Sequence, residues 1–545
     1  MAKIKIFALG GLNEIGKNMY IVDIDNSIFV FDAGLKYADD KMLGVDYIIP
    51  KYDYLIQNKK RIKGIFITHG HDEQMGALPD ILPELDNIPV YATKFTMEII
   101  KRELEESKIN YSKLIEIKPH VKLNFGKVSI FPINLTHSVP DSVGYVINTV
   151  DGAIFYTGNF MFDSSMLGPY KTDIGKLAYI GKQGVLCLLS ESMYADKKGF
   201  TAPNNRIAPV VNEILDQDDR ILISVFPNQF YKIQELFNGI MHTDRNVVII
   251  GKRLQDIILN SIELKYMKFD VNRIKTISHV NDKNIIVFIA DDREKPFSNF
   301  LRIIKGYDKF IKLNKKDTVL FMSPVFPGME KSSSKLLDGI AKIGCNLIDL
   351  SSKYLSHHAS SEDLMLMINL LNPKYYMPVN GEYRHEVANK KAAIIAGMNE
   401  ENILCKLNGD VVYFKNGKLV NDNIKIPTDE LLIDGEVGDV GEIVLKDREM
   451  LSDNGVVVAV VTIDKSTKKL RHQVEIHSRG FVYVRDNIDV MKEAVNIVTK
   501  VVNDNTKPNF IDYNKVKLGI RDELGKYFYN EIGTKPMILL IVQEI

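Results

Sequence analysis

Between Lys3 and about Asn205 the apolar residues come in short β-branched and aromatic runs, each closed by Gly, Asn, Asp or His: Ile28 to Phe31, Gly64 to Thr68, Val128 to Leu135 and Ala153 to Thr157. Runs of this length and punctuation predict strands, with the polar closing residues in the loops at their ends. From about Ile207 the texture changes. Apolar runs at Ile221 to Phe226, Val247 to Ile250, Asn284 to Ala290 and Asp317 to Ser323 alternate with helical stretches such as Lys232 to Ile240. Such alternation predicts a parallel α/β sheet.

The 545 residues allow three to five domains at roughly 100–200 residues each. With 45% apolar and 26% charged residues, each can bury a core, and wholesale disorder is excluded. Lys plus Arg and Asp plus Glu both number 70, so no global positive field exists to hold a polyanion, and any nucleic-acid site must be a local groove. The three cysteines, Cys187, Cys345 and Cys405, are few and far apart, and suit reduced core thiols. No apolar run approaches the roughly 18 residues of a membrane helix, and the start, Met1 to Gly10, is too polar for a signal segment. A cytoplasmic protein without membrane contact is expected.

Ser360 precedes Glu362 and Asp363, acids favoured in a first helical turn, and Leu364, Met367, Ile368 and Leu371 follow helical spacing. This predicts an amphipathic helix with a core-facing stripe. Residues 421–440, with Pro427 and several glycines, read as a linker. Beyond them, buried strands at Gly455 to Ile463 and Ile538 to Val542 around a helix at Asp489 to Val501 make a small α+β domain. The run Lys465 to His472 reads as a charged hairpin tip.

Chemistry gathers first at Thr68-His69-Gly70-His71-Asp72-Glu73-Gln74. In an extended chain residues i and i+2 share a face, so His69 and His71 can share one metal. Two more strand ends carry polar tips, Thr136-His137-Ser138 and Thr157-Gly158-Asn159, and the three could converge on one rim.

These residues resemble the ribonuclease J family. The resemblance extends through Gly10 to Asn18, the His69 segment, Thr136 to Gly144, Ser190-Glu191-Ser192, Phe326-Pro327-Gly328, Ser356-His357-His358-Ala359-Ser360, Gly381-Glu382-Tyr383-Arg384 and Ser478 to Val484. It implies an α/β metallo-β-lactamase αββα sandwich (1–206 and 356–420), an inserted β-CASP parallel α/β domain (207–355), and after the linker a C-terminal α+β assembly domain (441–545). It also implies RNA as substrate, two divalent metals, usually zinc, and dimers or tetramers.

The departures are lopsided. At the family's His-x-His-x-Asp-His stand His69, His71, Glu73 and Gln74; at its bridging Asp stands Asn159, and at its His before Gly-Glu-Tyr-Arg stands Asn380. The ligands implied for one ion, His69, His71 and His137, are retained, while the other set has become Glu73, Gln74, Asn159 and Asn380. Two divalent ions about 3.5 Å apart repel by about 19 kcal/mol at a dielectric of about 20, so a pair needs anionic bridges that neutral amides do not supply. One zinc site at most is expected. His358 is implied to support the scissile phosphate, with Glu73 as an imperfect proton acceptor. Asn228, Gln229, Lys232 and Ser356 to Ser360 are implied to touch RNA. Asp291 to Pro296 stands where a Gly-Ser-rich phosphate loop is implied. Two functions remain open: an inactive or weak member acting in complex with an active paralogue, or a metal-dependent exoribonuclease and endoribonuclease.

Overall fold

A computed structural model describes residues 2–39, 42–217, 219–227, 229–290, 297–325, 329–350, 352–420, 423–435, 438–482, 487–507 and 510–545. The chain divides into two compact units, residues 1–39 with 46–433, and residues 40–45 with 434–545.

The first unit contains two stacked sheets. One has eight strands in the order Lys418–Val420, Val412–Lys415, Lys3–Gly10, Met19–Ile24, Ser27–Phe31, Ile62–Phe66, Val90–Thr93, Leu114–Ile117. The other has six, Tyr375–Val379, Val185–Glu191, Gly152–Tyr156, Val143–Thr149, Val128–Asn134, Leu123–Phe125. Alternation along each strand sorts the side chains. Ile4, Ile6, Tyr20, Phe29 and Phe66 of the first sheet meet Ile130, Tyr145, Ile147 and Ile154 of the second in one apolar layer. Phe7, Ile21, Val30 and Ile65 face the other way, onto Leu78, Ile81, Met97 and Ile100 of helices. Ile133, Val146, Phe155 and Leu188 likewise meet Leu177, Leu364, Met367 and Leu371. This is the expected αββα sandwich.

Inserted in it is a six-stranded sheet, every described pairing parallel, in the order Ile274–Lys275, Asn246–Ile250, Ile285–Ala290, Ile221–Val225, Thr318–Phe321, Asn346–Asp349. Both faces are covered. Ile223, Ile249 and Phe288 pack on Ile233, Leu236 and Ile258, while Leu222, Val248 and Val287 pack on Phe300, Ile303 and Leu336. Continuous apolar runs are what a doubly covered parallel strand requires.

In the second unit the strands Glu475–Arg479, Val456–Ile463 and Met537–Glu544 form a sheet whose core residues Val457, Ala459, Val461 and Ile463 pack on the helices Ile488–Asp504 and Tyr513–Ile532. Val456, Val458 and Val460 are only half-buried, so the strand expected to be buried is covered fully on one face. The 421–440 stretch also differs from a plain linker. Glu430–Asp434 is a strand, and Leu431 and Leu432 pair with Ile49 and Ile48, since an edge there was open to pairing. Cys187 is buried as expected, but Cys405 is exposed. No helix of the described residues is long and apolar enough to cross a membrane.

Candidate metal centre and its cavity

Strand Ile62–Phe66 delivers His69 and His71 to the rim of the first sheet. Its end is fixed by the fully buried Asp32, whose Oδ1 accepts the Thr68 N–H (2.8 Å) and whose Oδ2 accepts the Thr68 and Tyr156 hydroxyls (3.0 and 2.7 Å). Burial pushes the Asp32 carboxyl up to about 7. His71 caps the short helix Asp72–Met75. The loop lies so close to Gly34 that a β-carbon there would stand 1.7 Å from the Glu73 carbonyl oxygen, which only glycine avoids. His137 follows strand Val128–Asn134, its loop tied by the Thr136 N–H to Thr172 Oγ1 (2.8 Å) and the Thr136 hydroxyl to the Tyr170 carbonyl (2.6 Å).

The three imidazoles meet. His69 Nε2 is 3.2 Å and His137 Nε2 3.4 Å from His71 Nδ1, and all three residues are buried. A tetrahedral ion with metal–nitrogen bonds of about 2.0–2.1 Å sets its ligand nitrogens about 3.3 Å apart, so the spacing fits a shared ion. The outward nitrogens also fit. His137 Nδ1–H donates to the His357 carbonyl (2.9 Å), an acceptor only, which leaves Nε2 with its lone pair; His69 Nδ1 meets Thr68 Oγ1 (3.0 Å) and His71 Nε2 meets Ser138 Oγ (3.0 Å). Burial, reinforced by neighbouring histidines, holds His69 and His137 well below the usual imidazole range, hence neutral, as ligands must be. The cluster is suited to binding a metal.

The second set does not fit an ion. Asn159 follows strand Gly152–Tyr156 and Asn380 follows Tyr375–Val379, and the Asn380 amide donates to Asn159 Oδ1 at 2.6 Å. In this arrangement an N–H faces the oxygen that a shared cation would need; admitting an ion would break the hydrogen bond and leave it only two neutral amide oxygens, poor donors for zinc. The Asn380 backbone is locked, its N–H donating to the Gly11 carbonyl (2.8 Å) and its carbonyl accepting from Ser192 (3.2 Å). Gln74 is fully buried with both amide atoms unsatisfied, and it lines the same cavity as Glu73, Asn159 and Asn380.

That cavity, about 620 Å³, also takes its walls from Gln229, Ser356, His357 and His358. His358 Nδ1 bonds the fully buried Glu191 carboxylate at 2.7 Å, and its ring stacks on Tyr194 with an interplanar angle of 8°. His357 takes the place of the family's glycine as a buried wall residue, its Nε2 unsatisfied.

Other sequence-marked residues stand elsewhere. Lys232 does not reach the cavity: fully buried, its ammonium bonds the Asn205 carbonyl and Glu235 (3.0 Å), and burial lowers its pKa. An exposed phosphate contact is thus replaced by an internal ion pair, because a buried ammonium demands a partner. Ala359 is buried in the sandwich core, and Ser360 caps helix Ser361–Leu371, its N–H donating to Asp363 (3.1 Å). Asn228, Asp291 to Pro296 and Phe326 to Gly328 lie outside the described residues. The reading from sequence missed Asp32, Glu191 and Tyr194. Glu191 sat in a quoted segment without a role, and Asp32 closes the run Ile28 to Phe31 as the histidines close theirs.

Four family models match successive stretches of the chain: a beta-lactamase superfamily domain over residues 29–172, a ribonuclease J beta-CASP domain over 218–340, a Zn-dependent metallo-hydrolase RNA specificity domain over 350–401, and a ribonuclease J C-terminal domain over 443–545. Ribonuclease J2 of Bacillus subtilis (strain 168) is 36% identical, covering 99% of each chain. Ribonuclease J 2 of Staphylococcus aureus (strain MRSA252) is 35% identical, covering 99% of this chain and 98% of that one. Among solved structures, a protein of unknown function from Enterococcus faecalis V583 shares the fold with a TM-score of 0.54 at 14% identity, covering 76% of this chain and 100% of that one.

Proposed function

We propose that this chain, which belongs to the ribonuclease J family, acts in cytoplasmic mRNA turnover and rRNA maturation with little or no nuclease activity of its own, in complex with an active paralogue. The observation that carries this reading is the amide clasp between Asn159 and Asn380 at 2.6 Å, seated where the family's second ion would need an anionic bridge. The match to an RNA specificity domain supports RNA as the ligand.

His69, His71 and His137 would hold one ion, zinc by the nature of its donors. When bound, such an ion supplies Lewis acidity toward water and phosphoryl oxygen. The chain's own residues do the rest. Ser356, His357 and Gln229 line the wall along which RNA lies. His358, oriented through Nδ1 by Glu191, keeps Nε2 for a phosphate oxygen. Glu73 is the one carboxylate of the altered set and the only proton acceptor it offers. Its extra methylene displaces the oxygen from where Asp would place it, and a misplacement of about 1 Å can cost about 100-fold in rate.

The retained imidazoles and the His358–Glu191 pair favour a second reading, a metal-dependent 5′–3′ exoribonuclease and endoribonuclease working as a homodimer or tetramer. Purified protein incubated with 5′-monophosphorylated RNA and Zn²⁺ or Mn²⁺, beside the His69→Ala variant, separates the two. The expected result is no turnover that the substitution removes; robust turnover abolished by it overturns the partner reading.

A further inference from the structure

The inserted domain grips the loops that carry the three imidazoles, at points outside the ligand set. On the His137 loop, the Tyr231 N–H donates to the Ser138 carbonyl (2.9 Å) and the Tyr266 hydroxyl bonds Asp141. On the His69–His71 loop the grip is a charge. Arg253, on helix Lys252–Glu263, places Nη2 2.6 Å from Glu103 and 3.4 Å from Asp72 Oδ1. The other Asp72 oxygen accepts the Tyr37 hydroxyl at 2.5 Å, so this carboxylate is held by the sandwich on one side and by the insertion on the other. Asp72 is joined directly to His71, and its carbonyl accepts the Leu35 N–H (3.0 Å).

A second ion pair joins the same two helices in the reverse sense: Arg102 of Lys94–Glu106 meets Asp256 of Lys252–Glu263 at 2.5 Å. Neither partner of that pair touches a ligand loop in a described contact. Arg253 thus both docks the insertion, through Glu103, and reaches the metal loop, through Asp72, whereas Arg102 only docks it.

We propose that Arg253 is a positioning residue: through Asp72 it fixes the loop that aims His71, and this contact, not the docking of the inserted domain as such, tunes the metal affinity of the three-imidazole cluster. The inference rests on the metal reading above and deepens it. Groups that bond a ligand ring alter metal affinity by about 10–100-fold, and Arg253, which acts on the backbone of the ligand loop through Asp72, belongs at the low end of that range, whereas an ion pair at a partly exposed interface contributes little to stability. Loss of Arg253 should thus be felt at the metal site more than in the fold.

The test uses the full chain as Arg253→Gln, Arg253→Lys, Asp72→Asn and Arg102→Gln. Amide exchange over residues 69–76 is measured in chelator-treated protein, and Zn²⁺ affinity by competition with a chromophoric chelator, with melting temperature recorded for each. The expected result for Arg253→Gln and Asp72→Asn is several-fold faster exchange over 69–76 and about 10-fold weaker Zn²⁺ binding. Arg253→Lys recovers part of both, and Arg102→Gln matches the wild type. Unchanged exchange in Arg253→Gln and Asp72→Asn, or equal effects from Arg102→Gln, overturns the proposal. If the wild type takes up no Zn²⁺, the metal reading fails, while exchange over 69–76 still decides whether Arg253 orders the loop.

Discussion

Asn159 and Asn380 close with a hydrogen bond a place that two ligands would have to share, and Gln74 beside them keeps an unsatisfied amide. Returning the donors should reopen it: Glu73→Asp, Gln74→His, Asn159→Asp and Asn380→His combined are expected to raise the metal content from one to two ions per chain, read by elemental mass spectrometry. Asp32 supports the retained ligands from behind. Asp32→Asn turns an amide N–H toward one of three donors and should cost about 1–3 kcal/mol in denaturant unfolding. The pH dependence has a definite sign. With its carboxyl raised to about 7 in the fold and near its ordinary value of about 4 when unfolded, Asp32 contributes stability that is full below about pH 4 and lost as the pH rises to about 7. The gap between wild type and Asp32→Asn should narrow over that window. The histidines were legible because two residues apart in a strand is a local relation. Asp32 and Glu191 were not, since each acts across 36 and 167 positions respectively, a distance no spacing rule spans.

At the scale of elements, the parallel sheet of the insertion is pinned at one end by Arg220, immediately before strand Ile221–Val225. Its guanidinium bonds both Asp317 oxygens (3.0 and 2.7 Å), the Val280 and Lys312 carbonyls (3.1 and 2.7 Å) and Asn281 (2.8 Å), with Asp317 almost wholly buried. Arg220→Ala strands that carboxylate, and a loss of about 3–5 kcal/mol is expected in chemical denaturation. Leu364→Ala on helix Ser361–Leu371 empties part of the sandwich core and should cost about 2–5 kcal/mol. Both elements followed from apolar periodicity, which records burial on a face. The same signal failed for Lys232, because a lysine at helical spacing looks exposed until another segment, here the Asn205 loop, docks over it. It failed again for Glu430–Asp434, whose pairing depends on an edge strand some 380 residues earlier.

For the molecule as a whole, 70 positive and 70 negative side chains leave RNA binding to local charge. Among the described residues that line the cavity, the permanent cations are Lys197 and Arg384. Two phosphate contacts on single-stranded RNA give a salt slope of about −1.4, so affinity measured by filter binding should fall only about sevenfold between 50 and 200 mM salt. A much steeper fall would place the RNA on another surface. The layered architecture was readable from sequence as a change of texture near Ile207, whereas the state of the cavity was not, since an amide-to-amide bond depends on two strand ends meeting. That cavity is where the account is most exposed. Metal counted by mass spectrometry in natively purified full-length protein should give no more than one zinc per chain, absent from His69→Ala; two tightly held ions per wild-type chain would contradict it.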